Sequence, residues 1–392
     1  MESSSSRRFF QLWAAVMIFV GVSIRFNSEA IAYVSGDYSA FLRPWMESII
    51  AKGGIYSLSQ RITDQSIAYT TFLTLITYLP FGTLYSVKYL SIAFDFGLSI
   101  ANYSIVVEYF KNSDLARFKG TLAGIFTLFI PTIFFNSSVW GQCDSIYTFF
   151  IMISILNLLR NNGKWAVIFF AVALSFKLQA VFFLPILVYR WLSKADVKTR
   201  HLLAIPVVFF LSCTPALIAG RPFGDIISIY SQQTGLYPSM TLNFASLYSV
   251  FPNDKFRILG YWSIALSGML LGLIIAIGLK TSTLISREIL IDVSLWVIMF
   301  VVFLLPSMHE RYMYMADVLS VCYVIIRPSR WYIGVGTFAI STLCYFPFLF
   351  GISTVDLRIL SLGLFTNIVV LGRTIFRDLN SIPQLQAHPL PN

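Results

Sequence analysis

The sequence predicts an all-α polytopic integral membrane protein of about twelve transmembrane helices, a single domain over 1–392 with two large extracytoplasmic loops. Three observations lead there. The chain is 57% hydrophobic and only 12% charged, with a mean hydropathy of +0.75, far more apolar than a soluble domain. Its apolar residues fall in stretches of about 15 to 25, the length that a hydrocarbon core of roughly 30 Å asks of a helix. Between those stretches the Lys and Arg stand in short groups, as topology determinants do.

The first stretch, 10–26, follows Arg7 and Arg8, but no A-x-A-like cleavage site ends it and it runs through Val20 to Ile24. It reads as a retained span, not a signal peptide. Further spans are expected at 84–110, 121–139, 145–160, 164–178, 179–191, 201–219, 259–278, 289–306, 312–326, 331–350 and 356–373. Ser66 to Phe81 is also apolar, yet as a span it would move Lys111, Arg117 and Lys119 to the side of the long loop after the first span. It is therefore laid along the interface, where Tyr69, Phe72, Tyr78 and Phe81 suit an aromatic-anchored element. Such an element either admits a lipid tail sideways or is a plain surface helix.

With that choice, seventeen of the 28 Lys and Arg gather on one side, from Arg7 and Arg8 to Arg373 and Arg377. The positive-inside rule makes that side cytoplasmic, with both termini on it. The outer face then carries the loops 27–83 and 220–258 and very short turns near 140–144, Lys177, His309 and Gly351. No short-period repeat or linker divides the chain.

A formal net charge of +10 is compatible with nucleic-acid binding, but no basic cluster with interleaved aromatics supports it, so no nucleic-acid partner is expected. The four cysteines, Cys143, Cys213, Cys322 and Cys344, lie in or beside apolar stretches without metal-ligand spacing.

Four polar groups fall on the outer side. Gly36-Asp37-Tyr38 follows the first span, where a glycine beside the acid permits a tight turn, although a loop aspartate is also at home simply in water. Asn136 to Ser145 joins two spans by a dense polar turn in which Asp144 suits either a helix cap or a site. Lys177-Leu178-Gln179 interrupts an apolar run that is too short for two full spans and too long for one. A broken pair of half-spans lining a cavity explains it, as does a snorkelling lysine. No other interruption of this kind is evident. Last come His309-Glu310-Arg311-Tyr312 between apolar stretches, where polar groups mark function by default and Glu310 with Arg311 also fits a structural ion pair. Three potential cations with two or three carboxylates suit a phosphate leaving group and a proton acceptor, hence group transfer from a phosphorylated lipid.

Gly36-Asp37-Tyr38 with Phe41, Pro44 and Trp45, the Trp-Gly-Gln-Cys-Asp-Ser turn of 140–145, Phe176 to Gln179, Leu242-Asn243 and Met308 to Tyr312 occur in that order. Together they resemble the GT-C superfamily of polyprenol-phosphate-sugar-dependent glycosyltransferases, in the bacterial branch similar to GPI mannosyltransferase II. The resemblance covers nearly the whole chain, and it implies a bacterial plasma membrane as the location. It implies a GT-C-like fold and an inverting transferase that moves a hexose (mannose, glucose or galactose) from a polyprenyl-phosphate donor to an acceptor hydroxyl. The catalytic acid residue of the first outer loop maps onto Asp37. The paired acid of several relatives is absent, since Gly36 and Tyr38 flank Asp37, so neither a metal nor a cofactor is expected.

Such a reaction needs a base for the acceptor proton and positive charge for the departing phosphate. Asp37 is the expected base, and Lys177 and Arg311 the expected phosphate clamp. Gln142, Asp144, Gln179, Asn243, His309, Glu310 and Tyr312 would orient sugar, acceptor or base. The partners implied are the lipid-linked donor, a glycan, lipid or protein acceptor of the cell envelope, and membrane lipids. A lipid-linked oligosaccharide polymerase is the neighbouring alternative, though few outer arginines await its pyrophosphates. A lipid or sugar transporter is the other, and it would show matched broken helices in both halves.

Overall fold

The computed structural model describes residues 4–233, 238–280 and 285–381. Residues 234–237, which belong to the expected outer loop 220–258, lie outside the described residues, as do the extreme termini. The helices in order are α1 (Ser4–Arg25), α2 (Ser28–Ala32), α3 (Arg43–Ala51), α4 (Ile67–Ile76), α5 (Thr83–Tyr109) and α6 (Ala116–Thr127). Next come α7 (Pro131–Phe134), α8 (Asp144–Leu159), α9 (Gly163–Phe176), α10 (Leu184–Leu192), α11 (Thr199–Leu202) and α12 (Ala204–Ile218). The last six are α13 (Phe223–Gln233), α14 (Phe256–Lys280), α15 (Leu290–Leu304), α16 (Tyr314–Ile326), α17 (Trp331–Phe350) and α18 (Leu357–Ser381). Two two-residue strands, β1 (Thr241–Leu242) and β2 (Met308–His309), pair in parallel.

The result is an all-α protein with apolar helices of membrane-spanning character, as composition demands, because a helix satisfies its own backbone where lipid offers no partner. Helices occupy each of the twelve predicted stretches. Among the described residues, six are long and apolar enough to cross a membrane, or seven if the bent pair Ala116–Thr127 and Pro131–Trp140 counts as one. The other apolar helices have 10–17 residues. At 1.5 Å per residue they measure only about 15 to 25 Å, short of a roughly 30 Å core.

Burial sorts the helices into layers. From Tyr314 to Tyr323 every residue of α16 is buried, which is the signature of a helix surrounded by others. It packs on α5, α6, α8, α15 and α17. Helices α5 and α6 approach closely because Gly124 faces the carbonyl of Ser99, where an added Cβ would sit at 3.2 Å. In contrast, α12 and α14 leave most of their apolar windows uncovered, surfaces suited to lipid.

Three expectations are corrected. Residues 66–81 do not form a surface element: seven of the ten residues of α4 are buried, and it packs against α3, α5, α9 and α12. Its apolar faces are taken by protein, while Tyr78 and Phe81 lie beyond its end and are exposed. Gly36 sits in ordinary helical backbone without a positive φ, so it lends Asp37 no special turn. The 121–139 span is not one straight helix but bends by 51°, a second interruption beside Lys177.

That bend has a local cause. Pro131 cannot donate a backbone hydrogen bond and disfavours helical backbone at the residue before it, so Ile130 is extended (φ −68°, ψ 122°). The carbonyl of Leu128 is thereby freed, and Arg25 Nη1 reaches it from the end of α1 at 2.7 Å. Arg25 Nε is meanwhile 2.9 Å from Asp95 Oδ2 of α5, and neither side chain is exposed at all. Ser137 Oγ donates to the same carboxylate at 2.6 Å. One buried ion pair thus joins α1, α5 and both sides of the bend.

Removing one partner of a buried pair leaves a bare charge and costs about 3–5 kcal/mol. Arg25→Met should therefore lower unfolding stability by about that amount in detergent, and the double change Arg25→Met with Asp95→Leu by clearly less. Equal losses, read from denaturation midpoints of the two variants, would assign the effect to packing instead.

Candidate active site

The chain reaches Asp37 through a fastened linker. Asn27 caps α2, its side chain accepting from the backbone of Glu29 and Ala30. At the other end, Lys88 of α5 donates to the carbonyls of Ala30, Ile31 and Tyr33 at 2.9, 3.0 and 2.7 Å. Ser35 Oγ then donates to the carbonyl of Trp140 at 2.9 Å. Asp37 follows at the start of a π-helical turn, Tyr38–Leu42.

Opposite it, the expected polar turn after α7 is a second π-helical turn, Phe135–Trp140, in which Asn136 to Trp140 are all buried. Gly141 ends it at φ +78°, a left-handed position that favours glycine. Wide π turns advance side chains differently from an α-helix, and here consecutive polar groups face different partners. Ser137 faces Asp95, Asn136 Nδ2 donates to Asp144 Oδ2 at 2.9 Å, and Trp140 Nε1 donates to Asp37 Oδ2 at 3.0 Å. Gln142 Nε2 donates to the same Asp37 oxygen at 2.7 Å.

Asp144 is the first residue of α8, yet its side chain does not cap that helix. It pairs with Lys177 Nζ. Lys177 stands at the break between α9 and the 3-10 turn Leu178–Phe183, its backbone extended (φ −153°, ψ 133°), and its amine is turned onto the buried Asp144. The third segment, His309 to Tyr312, is held by the short ladder: Leu242 pairs with His309, Asn243 bridges to His309, and Glu310 N donates to Leu242 O at 3.1 Å. This ladder brings the segment around Leu242 and Asn243 to the site.

Arg311 is the hub of the charges. Its Nη1 lies 3.1 Å from Glu310 Oε1 and 3.8 Å from Asp37 Oδ2, its Nε lies 3.7 Å from Asp144 Oδ2, and its guanidinium sits 5.0 Å over the Trp140 ring. Burial pushes the Glu310 carboxyl up to about 7 against the pull of Arg311. Burial, then Arg311 and Lys177, hold the His309 imidazole down at about 2, so it is neutral and adds no third cation, contrary to the sequence expectation. Asp37 keeps 20% of its side-chain surface while Asp144 keeps none. Of the two, only Asp37 is open to a ligand.

A cavity of about 440 Å³ joins these groups, within the usual range for small-molecule sites. Asp37, Gln142, Lys177, Gln179, Asn243, His309, Glu310, Arg311 and Tyr312 all line it, and Asp144 lies sealed beneath. Sequence reasoning missed three polar contributors. Asp64 and Gln65 line the cavity from just before α4, and Trp140 holds Asp37. Trp140 had a signal in its polar turn; the other two had none beyond lying in the expected outer loop. Among the described residues, no group of three or more His, Cys, Asp or Glu side chains is placed to hold a metal ion.

No known protein family matches the chain, and no curated protein sequence matches it.

The raised Glu310 carboxyl means that the folded state holds its proton more tightly than the unfolded chain. Stability from this group is therefore complete below about pH 4.5, the ordinary carboxyl value, and is lost as pH rises through about 7. Wild-type protein should lose unfolding stability between pH 5 and 8 relative to Glu310→Gln, compared by melting in one detergent. Parallel curves would show that Glu310 ionises freely.

Proposed function

We propose that this protein is an inverting GT-C-like glycosyltransferase that moves a hexose from a polyprenyl-phosphate donor to an acceptor hydroxyl at the extracytoplasmic face of the plasma membrane. The supporting observation is the convergence of Asp37, Lys177 and Arg311 on one cavity from segments 140 and 134 residues apart along the chain. A carboxylate open to ligand beside two fixed cations suits transfer away from a phosphate.

In this reading the acceptor oxygen attacks the anomeric carbon as the bond from that carbon to the phosphate oxygen breaks. The acceptor proton passes to Asp37, and polyprenyl phosphate leaves with its negative charge against Arg311 and Lys177. Trp140 and Gln142 hold Asp37 by one oxygen and fix its direction. Arg311, with a planar fork of donors, is able to exchange a carboxylate oxygen for a phosphate oxygen. Asp144 anchors Lys177 and orients Arg311 from below.

The test is consumption of a labelled polyprenyl-phosphate hexose by purified protein in liposomes. Asp37→Asn should slow transfer by about 10²- to 10⁴-fold while donor binding persists. Lys177→Met and Arg311→Met should each cost about 10²-fold or more. Near-normal turnover in all three would remove the mechanism. Should Asp144→Asn abolish transfer while Asp37→Asn leaves it, the base belongs to Asp144.

A transporter is the second reading, favoured by the two interrupted helices at 128–131 and Lys177, since broken helices also build transport sites. Donor recovered intact on the opposite side of the liposome would select it.

The topology behind the proposal counts twelve crossings, the short helices included, with both termini cytoplasmic. A cysteine at Ser239 should then react with an impermeant reagent outside intact cells, and one at Ser113 should not. Labelling of Ser113 in place of Ser239 would invert the scheme.

A further inference from the structure

One polar wall of the cavity takes no part in the transfer chemistry above. Asp64 and Gln65 line it, and the Gln65 amide donates to Asp64 Oδ1 at 2.9 Å. The wall is fastened in place. Thr63 and Thr70 share a hydroxyl hydrogen bond of 2.7 Å, Gln65 N donates to Thr63 Oγ1 at 3.2 Å, and Ser66 Oγ donates to the Phe176 carbonyl at 2.8 Å. That last bond sets the pair beside the Lys177 break. Phe41 and Trp45 line the same cavity with ring centroids 5.8 Å apart.

The chemistry of this wall limits what it can hold. An ionised carboxylate only accepts hydrogen bonds, whereas a primary amide both accepts and donates. Side by side they match a ligand rich in neutral hydroxyls, and the carboxylate repels a phosphate. A hydrocarbon tail would satisfy the rings and strand the polar pair, at a cost for each group left unmade. A serine side chain offers a single hydroxyl to a wall with several sites. A pyranose offers several hydroxyls and an apolar C–H face for the rings.

We propose that Asp64 and Gln65, with Trp45 and Phe41, form the acceptor subsite and that the acceptor is a carbohydrate bound through its hydroxyls. The assignment rests on the transferase reading, in which Lys177 and Arg311 take the donor phosphate and Asp37 the proton, leaving this wall to the acceptor.

Binding is read without turnover, by saturation-transfer NMR on detergent-solubilised full-length protein. The probes are methyl α-mannoside, methyl β-glucoside, methyl β-galactoside and methyl N-acetyl-β-glucosaminide, beside a serine-containing tetrapeptide. At least one glycoside should bind the wild type without donor, and Asp64→Asn and Gln65→Ala should each weaken it by about 10-fold, the value of a hydrogen bond to a charged or well-placed group. Donor affinity should stay within about two-fold of the wild type, well under the tenfold that 1.4 kcal/mol represents. Binding of the peptide with no glycoside bound would overturn the proposal, as would a parallel loss of donor affinity, which would give the wall to the donor sugar. Donor consumption with glycoside binding unmoved by both substitutions refutes the subsite alone. Glycoside binding that depends on Asp64 in a protein that consumes no donor refutes the transferase reading and retains the carbohydrate site.

Discussion

The π-helical turn Phe135–Trp140 is pinned by three carboxylates, and the rest of the site depends on that arrangement. Ser137 donates to Asp95, Asn136 to Asp144 and Trp140 to Asp37. Two of these carboxylates are fully buried, where an ion without partners is very costly. Arg25 answers Asp95, and Lys177 with Arg311 answers Asp144. Each cation comes from a different part of the chain, so neutralising the buried acids forces α1, the Lys177 break and the His309–Tyr312 segment toward one turn. Energetic necessity and site assembly are the same event here.

The charges in the cavity are consequently already matched. Arg311 lies within 4 Å of Glu310, Asp37 and Asp144, and Lys177 is paired with Asp144. An anionic ligand would not meet free cations but would compete with carboxylates for them. Glu310 eases that competition, because burial raises its carboxyl to about 7, so that it is only partly ionised near neutral pH. Asp144 does not, since it is sealed and anchored. The pairing fixes the cations in position without ligand, and preorganised charge is what stabilises a developing anion most effectively.

Much of the architecture was legible in the residues themselves. Helix positions follow from apolar runs, because burying backbone in lipid leaves a helix as the local solution whatever the neighbours are. The break at Lys177 was legible for the same reason: a run too long for one span and too short for two has to be interrupted. The polar groups at Asp37, Asn136 to Asp144, Lys177 and His309 to Tyr312 stood out against their apolar flanks, and all but the sealed Asp144 and the turn segments beneath it line the cavity.

Other features were beyond the reach of the sequence. The bend at Pro131 needed a partner for the Leu128 carbonyl, and Arg25, 103 residues away, supplies it. The burial of α4 was misread because its aromatic run looks the same whether protein or interface covers it. His309 was counted among three potential cations, but its charge depends on burial and on the cations packed beside it. Asp64 and Gln65 are ordinary loop residues until Ser66 is tied to Phe176. The sequence by itself determined that the chain forms apolar helices and which polar residues they carry, since hydropathy and backbone hydrogen bonding are local. Only the tertiary structure decided which charges meet and which are neutral, because both depend on distance and desolvation between segments far apart in the chain.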